Sequence, residues 1–397
     1  MKAGFWWIAL PVLACASVAM AQQSTLEAAW RLAAAGKRSE AVTLLRRLVQ
    51  TDPRDADARL LLGSLLMDAG ERAESISQLN EAVRLRPQSA EAHNALGEAY
   101  NTFGDTKAAL PEFKRAVELD SRHAQAHVNL ASALLAEGDS QSAIPHLERA
   151  IQLFGEKPDA AYPHYLLAKV YTDQRDSAKA ASQLERAVAL QATFAEAWSD
   201  LGEARKNLSD DDGALAAFRR AVELNSGDAV AQTRLGTMLL ENGKAHDAIP
   251  HLEEAVRLDK ENQSALNALQ RALRQDGQVE RADAVKKTLA DLLASRDSAD
   301  QNLTAALELN NRGAELEKSG NVKGALEKYR AAAKLQPGHV GIQINLAVAL
   351  LKLGYWGEGI AQMRDALKRD PGNTQLKKAL EDALAQARAH GIVIRNQ

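Results

Sequence analysis

Cysteine is almost absent, since Cys15 is the only one among 397 residues. A single thiol cannot form an intramolecular disulfide, so the fold must be held together without covalent cross-links. Common catalytic patterns are absent too, because the chain has no P-loop, no G-x-S-x-G and no H-E-x-x-H. These absences favour a protein that is not an enzyme and that carries no cofactor or metal.

Aromatic residues are also scarce, at 4% of the chain, although hydrophobic residues reach 46%. The core must therefore be built mainly from small and aliphatic side chains in thin layers. The formal net charge is only −3, so there is no strong positive field of the kind that nucleic acids require. We expect partners to be proteins or peptides rather than nucleic acid.

The N-terminal segment differs from the rest of the chain. Residues 1–21 have one charge, at Lys2, then an apolar stretch from Phe5 to Val18 and the tripeptide Ala19-Met20-Ala21. This order is typical of a secretory signal peptide with an A-x-A cleavage site. We therefore predict an exported protein, periplasmic or secreted, whose mature chain begins at Gln22.

Two alternatives would leave the protein attached to a membrane. Residues 3–21 carry no charge, so an uncleaved signal anchor is the first. The second is lipidation, because Val12 to Cys15 loosely resembles a bacterial lipoprotein box. Otherwise the mature chain is predicted to have no membrane span and, once Cys15 is removed, no thiol chemistry.

A period of 34 residues runs through the remaining sequence. A glycine or a substitute for it marks each repeat, and we call these residues the turn positions. Steps longer than 34 occur twice, with 37 residues from Gly138 to Arg175 and 43 from Gly277 to Gly320. The turn positions are Gly36, Gly70, Gly104, Gly138, Arg175, Ser209, Gly243, Gly277, Gly320 and Gly354.

Other residue types keep the same phase. Seven residues before most turn positions is a glycine or alanine, five residues after is a small residue, and nine after is a large apolar one. Stretches such as 90–97 (AEAHNALG) and 214–224 (ALAAFRRAVEL) show the pattern clearly. Gln270 and Lys286 depart from it. This pattern, over residues 22–391, resembles the tetratricopeptide repeat family, whose unit is a pair of antiparallel helices.

The resemblance implies an all-α fold, a right-handed α-solenoid of about ten helix-turn-helix repeats with a C-terminal capping helix. The predicted organisation is eight repeats over 22–296, an insertion at 297–305, two repeats over 306–373 and a capping helix over 374–391. The small residue before each turn allows the two helices to approach closely. Glycine at the turn suits a left-handed backbone conformation.

The insertion at 297–305 is predicted to form an elongated helix or a hinge that changes the direction of the array. Ser298 and Gln301 fit a capping box, which would start a helix there. The alternative is simply a longer loop. At the other end nothing caps the first repeat, so Leu26 and Trp30 are expected to be partly exposed.

The resemblance also implies that first helices line a concave groove where partners bind, as extended peptides or helices. A solvated polar face is the better explanation of any one of these residues taken singly, whereas the groove as a whole is the best hypothesis for a binding surface. The candidate partner-binding residues are Glu91, Asn94, Glu98, Asn101, Gln125, Tyr165, Lys169, Glu196, Ser199, Glu203 and Lys206.

Some members of the family hold a peptide carboxylate with lysines and asparagines, but the corresponding positions here are Ser64, Glu98 and Ser132. Capture of a terminal carboxylate is therefore not expected. A groove ladder of asparagines would be fragmentary, with only Asn129, Asn311 and Asn345 at its position.

Histidine recurs at one position, with His93, His127 and His164 in three successive repeats and His123 four residues before His127. Metal binding is disfavoured because equivalent residues of stacked helices lie roughly 9–10 Å apart. Trp198 occupies the same position in another repeat, so packing explains the histidines better.

The leading functional hypothesis is a non-enzymatic scaffold or adaptor of the cell envelope that binds partners in the groove. The alternative is a non-catalytic subunit that recruits substrate to an envelope enzyme, such as a glycosyl transferase or cell-wall hydrolase. A third is self-association through the exposed first repeat. The fold alone cannot choose the partner.

Overall fold

The computed structural model describes residues 23–392. These residues form helices joined by short turns, and none of them lies in a β-strand. The predicted signal peptide, with Cys15 and Ala21, lies outside the described residues. The described chain divides into two compact units between Lys260 and Glu261.

The first unit contains seven helix pairs and one 3₁₀ turn, Pro158–Ala160. Each odd-numbered helix is the first of a repeat and each even-numbered helix the second. The helices are α1 (23–34), α2 (Arg38–Thr51), α3 (Ala56–Asp68), α4 (Arg72–Leu85), α5 (Ala90–Thr102), α6 (Thr106–Leu119), α7 (Ala124–Ala136), α8 (Ser140–Phe154), α9 (Ala161–Asp173), α10 (Ser177–Leu190), α11 (Ala195–Asn207), α12 (Asp211–Leu224), α13 (Ala229–Glu241) and α14 (Ala245–Leu258).

The second unit continues the alternation of helices but contains one helix that serves two repeats. Its helices are α15 (Gln263–Gln275), α16 (Val279–Lys318), α17 (Val322–Leu335), α18 (Val340–Lys352), α19 (Trp356–Arg369) and α20 (Thr374–Ala389). Throughout both units, many helices start after a short polar residue. Asp105, for example, accepts a hydrogen bond from the Ala108 backbone N–H at 3.1 Å, which satisfies a donor left free by the helix start.

The turn positions adopt the predicted left-handed conformation. Their φ angles lie between 60° and 82°, including 60° at Arg175 and 61° at Ser209. A Cβ added to Gly104 would meet no atom within 4 Å. Backbone conformation, rather than crowding, therefore selects glycine at these turns.

The two helices of a repeat meet at a small residue on the first and a large one on the second. At Gly97 an added Cβ would lie 2.6 Å from Cε1 of Phe113, and at Gly202 it would lie 2.5 Å from Cδ1 of Phe218. The sequence predicted a close approach of the two helices at this small residue. In repeats with glycine at this position even alanine would collide, so the helices are closer there than a repeat with alanine could allow.

The insertion at 297–305 lies inside α16, a continuous helix of 40 residues from Val279 to Lys318. The N-terminal part of α16 pairs with α15 and its C-terminal part with α17. The suggestion that Ser298 starts a helix is wrong, because the helix passes through this position without a break. The longer-loop alternative is excluded for the same reason. Between Ala282 and Ala306 no residue of α16 is buried.

The two ends of the described chain differ. At the C-terminal end, α20 packs Leu376, Leu380 and Ala383 into the cluster formed with α19. At the N-terminal end, Trp30 remains 56% exposed, as the sequence predicted. Leu26 is partly buried against the core of the first two repeats.

Replacing Ser209 by glycine is predicted to stabilise the protein. Serine at φ 61° carries a left-handed strain that glycine avoids, so we expect a gain of about 0.5–1 kcal/mol after the extra chain entropy of glycine is subtracted. Thermal unfolding followed by circular dichroism measures it. Ser209→Ala is the control, because alanine keeps the strain. A Ser209→Gly midpoint no higher than that of Ser209→Ala would contradict this account.

Replacing Gly97 by alanine is predicted to destabilise the protein by about 1–3 kcal/mol, because the new methyl group meets the Phe113 ring. Adding Phe113→Ala removes the ring that the new methyl group meets, so Gly97→Ala should cost much less in that background. Unfolding of both single variants and of the double variant forms a mutant cycle. Simple additivity would show that the two residues do not meet as described.

Candidate binding surface

The first helices of the first unit border two large cavities. The first cavity has a volume of about 820 Å³ and lies against α1, α3 and α5. Its lining combines an apolar floor with carboxylates and includes three of the predicted residues. The lining residues are Trp30, Ala33, Asp57, Leu60, Leu61, Ser64, Leu65, Asp68, Ser89, Ala90, Glu91, Asn94, Ala95, Glu98, Asp120 and His123.

The second cavity has a volume of about 520 Å³ and lies against α9, α11 and α13. Its charges are balanced, with three cationic and three anionic side chains. The charged lining residues are Lys169, Asp173, Arg175, Asp200, Glu203 and Arg234.

Hydrogen bonds connect the first helices of neighbouring repeats through residues that are 35 apart, one more than the repeat length of 34. Asn129 donates from Nδ2 to Oδ1 of Asn94 at 2.9 Å, and Arg234 donates from Nη1 to Oγ of Ser199 at 2.8 Å. In the second unit Asn345 donates to Asn310 at 2.9 Å. We call these pairs the first-helix ladder.

Around Asn94 the ladder extends into a polar network. Asn129 also donates to Oε1 of Glu98 at 2.6 Å, Asn94 donates to the same carboxylate at 3.0 Å, and Gln125 donates to Oδ1 of Asn129 at 3.0 Å. Four amide or carboxylate groups from α5 and α7 are thereby held in fixed positions. Asn94, Glu98 and Gln125 were predicted as site residues, and the structure brings them together.

Tyr165 forms the ladder pair between repeats five and six, with Asp200. Burial, the Asp200 charge and a hydrogen bond to Asp200 raise the pKa of Tyr165 to about 12, so the phenol stays protonated at neutral pH. Its ring lies 4.9 Å from that of Phe194, and Lys169 Nζ lies 5.6 Å from its centroid. The tyrosine is thus a positioned part of the surface rather than a reactive group.

Other predicted residues are more dispersed. Asn101 is exposed, lines neither cavity and accepts a hydrogen bond from Thr106 at 3.3 Å. Lys206 is half-buried and pairs with Glu241 at 2.7 Å, in a second row of contacts between residues 35 apart. Glu196 is exposed and also lines neither cavity.

The predicted residues also differ in how far they are buried. Asn94 and Ser199 are buried, whereas Glu91, Gln125 and Lys169 are exposed. Lys169 and Glu203 line the second cavity. A partner can therefore touch the exposed residues directly, while the buried ones hold the first helices together.

Sequence reasoning missed several lining residues, most of them on first helices and one, Asp120, directly after α6. A search for residues 35 apart with complementary hydrogen-bonding groups would have found Arg234 and Asp200, since their partners were already candidates. The missed residues are Trp30 as a groove residue, Asp57, Asp68, Asp120, Asp200 and Arg234.

Comparison with protein-family models identifies the repeat. Models described as tetratricopeptide repeat match residues 26–90, 61–121, 122–192, 165–229, 233–294 and 316–388. The chain belongs to the tetratricopeptide repeat family. The predicted all-α solenoid class is confirmed, and its architecture is that of a protein–protein interaction scaffold.

Three solved structures are similar to parts of this chain. PilF of Pseudomonas aeruginosa is 20% identical with a TM-score of 0.50, and the match covers 54% of this chain and 98% of that one. The C-terminal part of a tetratricopeptide repeat protein of Cytophaga hutchinsonii is 15% identical with a TM-score of 0.47, covering 62% and 99%. YrrB, described as having an unusual peptide-binding site, is 23% identical with a TM-score of 0.41, covering 48% and 96%.

A search of curated proteins found no match. Among residues 23–392, no helix is both long enough and apolar enough to cross a membrane.

The histidine position of these tetratricopeptide repeats has a hydrogen-bonding role that the sequence reasoning missed. The side chain of the residue eleven positions before the turn position donates an N–H hydrogen bond. The acceptor is the backbone carbonyl six residues before that side chain, at the end of the preceding repeat. The pairs are Arg59 with Pro53 (2.8 Å), His93 with Pro87 (3.2 Å), His127 with Ser121 (3.2 Å), Trp198 with Ala192 (3.0 Å), Gln232 with Ser226 (3.0 Å) and Gln343 with Pro337 (2.6 Å).

The requirement at this position is an N–H donor, which arginine, histidine, tryptophan and glutamine all supply. His93 and His127 thus link successive repeats through their ring nitrogens. Packing alone, as the sequence suggested, describes only part of this role.

The second nitrogen of each histidine faces the second helix of its own repeat. Nδ1 of His93 lies 2.6 Å from Glu112, and Nδ1 of His164 lies 2.6 Å from Oε1 of Gln183. Between His127 and His146 the two Nδ1 atoms are 3.0 Å apart. One of these two nitrogens must accept the hydrogen bond, so the pair requires at least one neutral ring.

Burial lowers the pKa of both His127 and His146, and for His146 the charge of His127 lowers it further. Both rings therefore favour the neutral form more strongly in the folded state than in the unfolded chain. In the unfolded chain each imidazole takes up a proton near its ordinary pKa of about 6.5. The stability that the pair contributes is complete above that pKa and is lost as the pH falls through it towards the lower folded-state pKa values.

His146→Gln is predicted to make stability less sensitive to acid, because it removes one titrating ring and copies the His164–Gln183 pair. Thermal unfolding midpoints at pH 7.5 and pH 5.5 give the sensitivity of each protein. His246→Gln is the control, since it removes an exposed histidine. Equal drops in midpoint for the wild type and His146→Gln would contradict the assignment.

Proposed function

We propose that the protein is an exported, non-enzymatic adaptor of the cell envelope that binds peptides or proteins along its first helices. The first-helix ladder carries this proposal. It fixes neighbouring first helices by polar contacts such as Asn94–Asn129 and Ser199–Arg234, while exposed residues beside it, Glu91 and Lys169, stay available. A surface ordered in advance loses less entropy when it binds a partner.

The two cavities support binding rather than catalysis. The cation Arg234 in the second cavity is held by Ser199 at 2.8 Å and Asp200 at 2.9 Å. Tyr165 keeps its proton because its pKa is raised to about 12. These groups are satisfied by one another and are arranged as a recognition surface.

Export and an envelope location are supported by the pattern of residues 1–21, with one lysine, an apolar stretch and an A-x-A tripeptide. Intact mass of the protein recovered outside the cytoplasm tests this part. A mass corresponding to a chain that starts at Gln22, with no lipid, is the expected result. A cytoplasmic protein of full mass would refute it.

Site-specific photo-cross-linking tests the binding surface. A photoreactive residue at Glu91 or Lys169, both exposed on first helices, should trap a partner in the cell that makes the protein. The same residue at Lys114 or Glu148, both exposed on second helices, should trap much less. Equal trapping from both faces, or none from the first helices, would sink the proposal.

A further inference from the structure

The first cavity differs from the second in the charge of its wall. Five carboxylates line it, Asp57, Asp68, Glu91, Glu98 and Asp120, and none of the described residues lining it is a lysine or arginine. The second cavity, by comparison, has three charged groups of each sign. The imbalance is local, because the whole chain has a formal charge of only −3.

Two of the five carboxylates are already paired with arginines outside the cavity. Arg86 binds Asp57 through two hydrogen bonds, the longer at 2.8 Å, and Arg38 lies 3.8 Å from Asp68. The other three carboxylates have no ion-pair partner within residues 23–392. Glu98 accepts hydrogen bonds from Asn94 and Asn129, which fix it in place and bring no compensating positive charge, because both donors are neutral amides.

An apolar floor lies beneath these carboxylates. Leu61 and Leu65 are 6% and 7% exposed, Leu60 is half-buried, and Trp30 presents more than half of its surface to solvent. An exposed tryptophan beside buried leucines suits an apolar side chain of a partner. The face of an indole ring also attracts lysine and arginine.

We infer that the first cavity binds a cationic peptide segment of a partner protein, with an apolar side chain on Trp30 and the leucines and lysine or arginine beside Glu91, Glu98 and Asp120. Charge complementarity selects this occupant, because an acidic segment would meet three uncompensated carboxylates. The inference rests on the proposed function, since it names the class of partner for part of the same surface.

Three labelled heptapeptides test it by fluorescence anisotropy on the purified full chain: alternating lysine and leucine, alternating glutamate and leucine, and alternating lysine and serine. The lysine–leucine peptide should bind most tightly, and its affinity should fall as salt increases. Equal binding of all three, or tighter binding of the glutamate peptide, would overturn the inference.

Variants locate the binding. Glu91→Gln/Glu98→Gln should weaken the lysine–leucine peptide about three- to tenfold, and Trp30→Ala about tenfold or more. Glu137→Gln/Glu148→Gln removes the same charge at exposed residues outside the cavity and should leave affinity unchanged. Equal losses in both double variants would mean general attraction to an acidic protein, and would overturn the assignment.

Analytical sedimentation tests the other possible occupant of the first cavity, which is a second copy of this chain. Dimers that dissociate in Trp30→Ala would show that the surface is filled by self-association and would overturn the inference. Its failure is distinct from failure of the proposed function. If a partner is trapped at Glu91 but its binding does not depend on any of the three carboxylates, only the inference is refuted. If no partner is trapped at any first-helix position, the proposed function itself is refuted.

Discussion

The rest of the structure depends on the close contact between the two helices of each repeat. Gly97 lies so near Phe113 that a single methyl group would collide, at 2.6 Å. With the first helix held at this distance, its opposite side is free to carry polar residues, and the first-helix ladder is built there. The seam is buried and apolar, whereas the ladder is polar and partly exposed, so the same helix contributes stability on one side and carries the proposed binding surface on the other.

The fold could be predicted from the sequence because its determinants are local and repeated. A left-handed turn needs glycine, a close helix contact needs a small residue, and each requirement recurs with the period of the repeat. Even Arg175 and Ser209 were placed correctly, since the phase identified them as turn positions despite their side chains. The conformation of residues 297–305 was harder to predict, because capping residues such as Ser298 also occur inside helices. Only the packing at the two ends of α16 determines that these residues continue the helix.

The candidate site was less predictable because its contacts join different repeats. Asn129 and Asn345, which share one position of the repeat, could be found in the sequence. What could not be seen is that each of them bonds to the preceding repeat, at the residue one position earlier in the repeat unit. Several chemistries satisfy this pairing, including arginine with serine at Arg234 and Ser199. The same holds for the histidines, whose requirement is an N–H donor at a given distance from a carbonyl. Residue identity varies while the hydrogen bond persists, so identity alone was a poor guide.

The continuous helix α16 has a consequence for how the second unit unfolds. In an ordinary array, neighbouring repeats are joined by a turn, and a terminal repeat can fray while the next one persists. Here the second helix of one repeat and the first helix of the next are a single rod of 40 residues. Its middle has no buried residue between Ala282 and Ala306, so this segment would be only marginally stable as an isolated helix. It is sustained by the packed turns at either end, which links the two repeats into one cooperative unit.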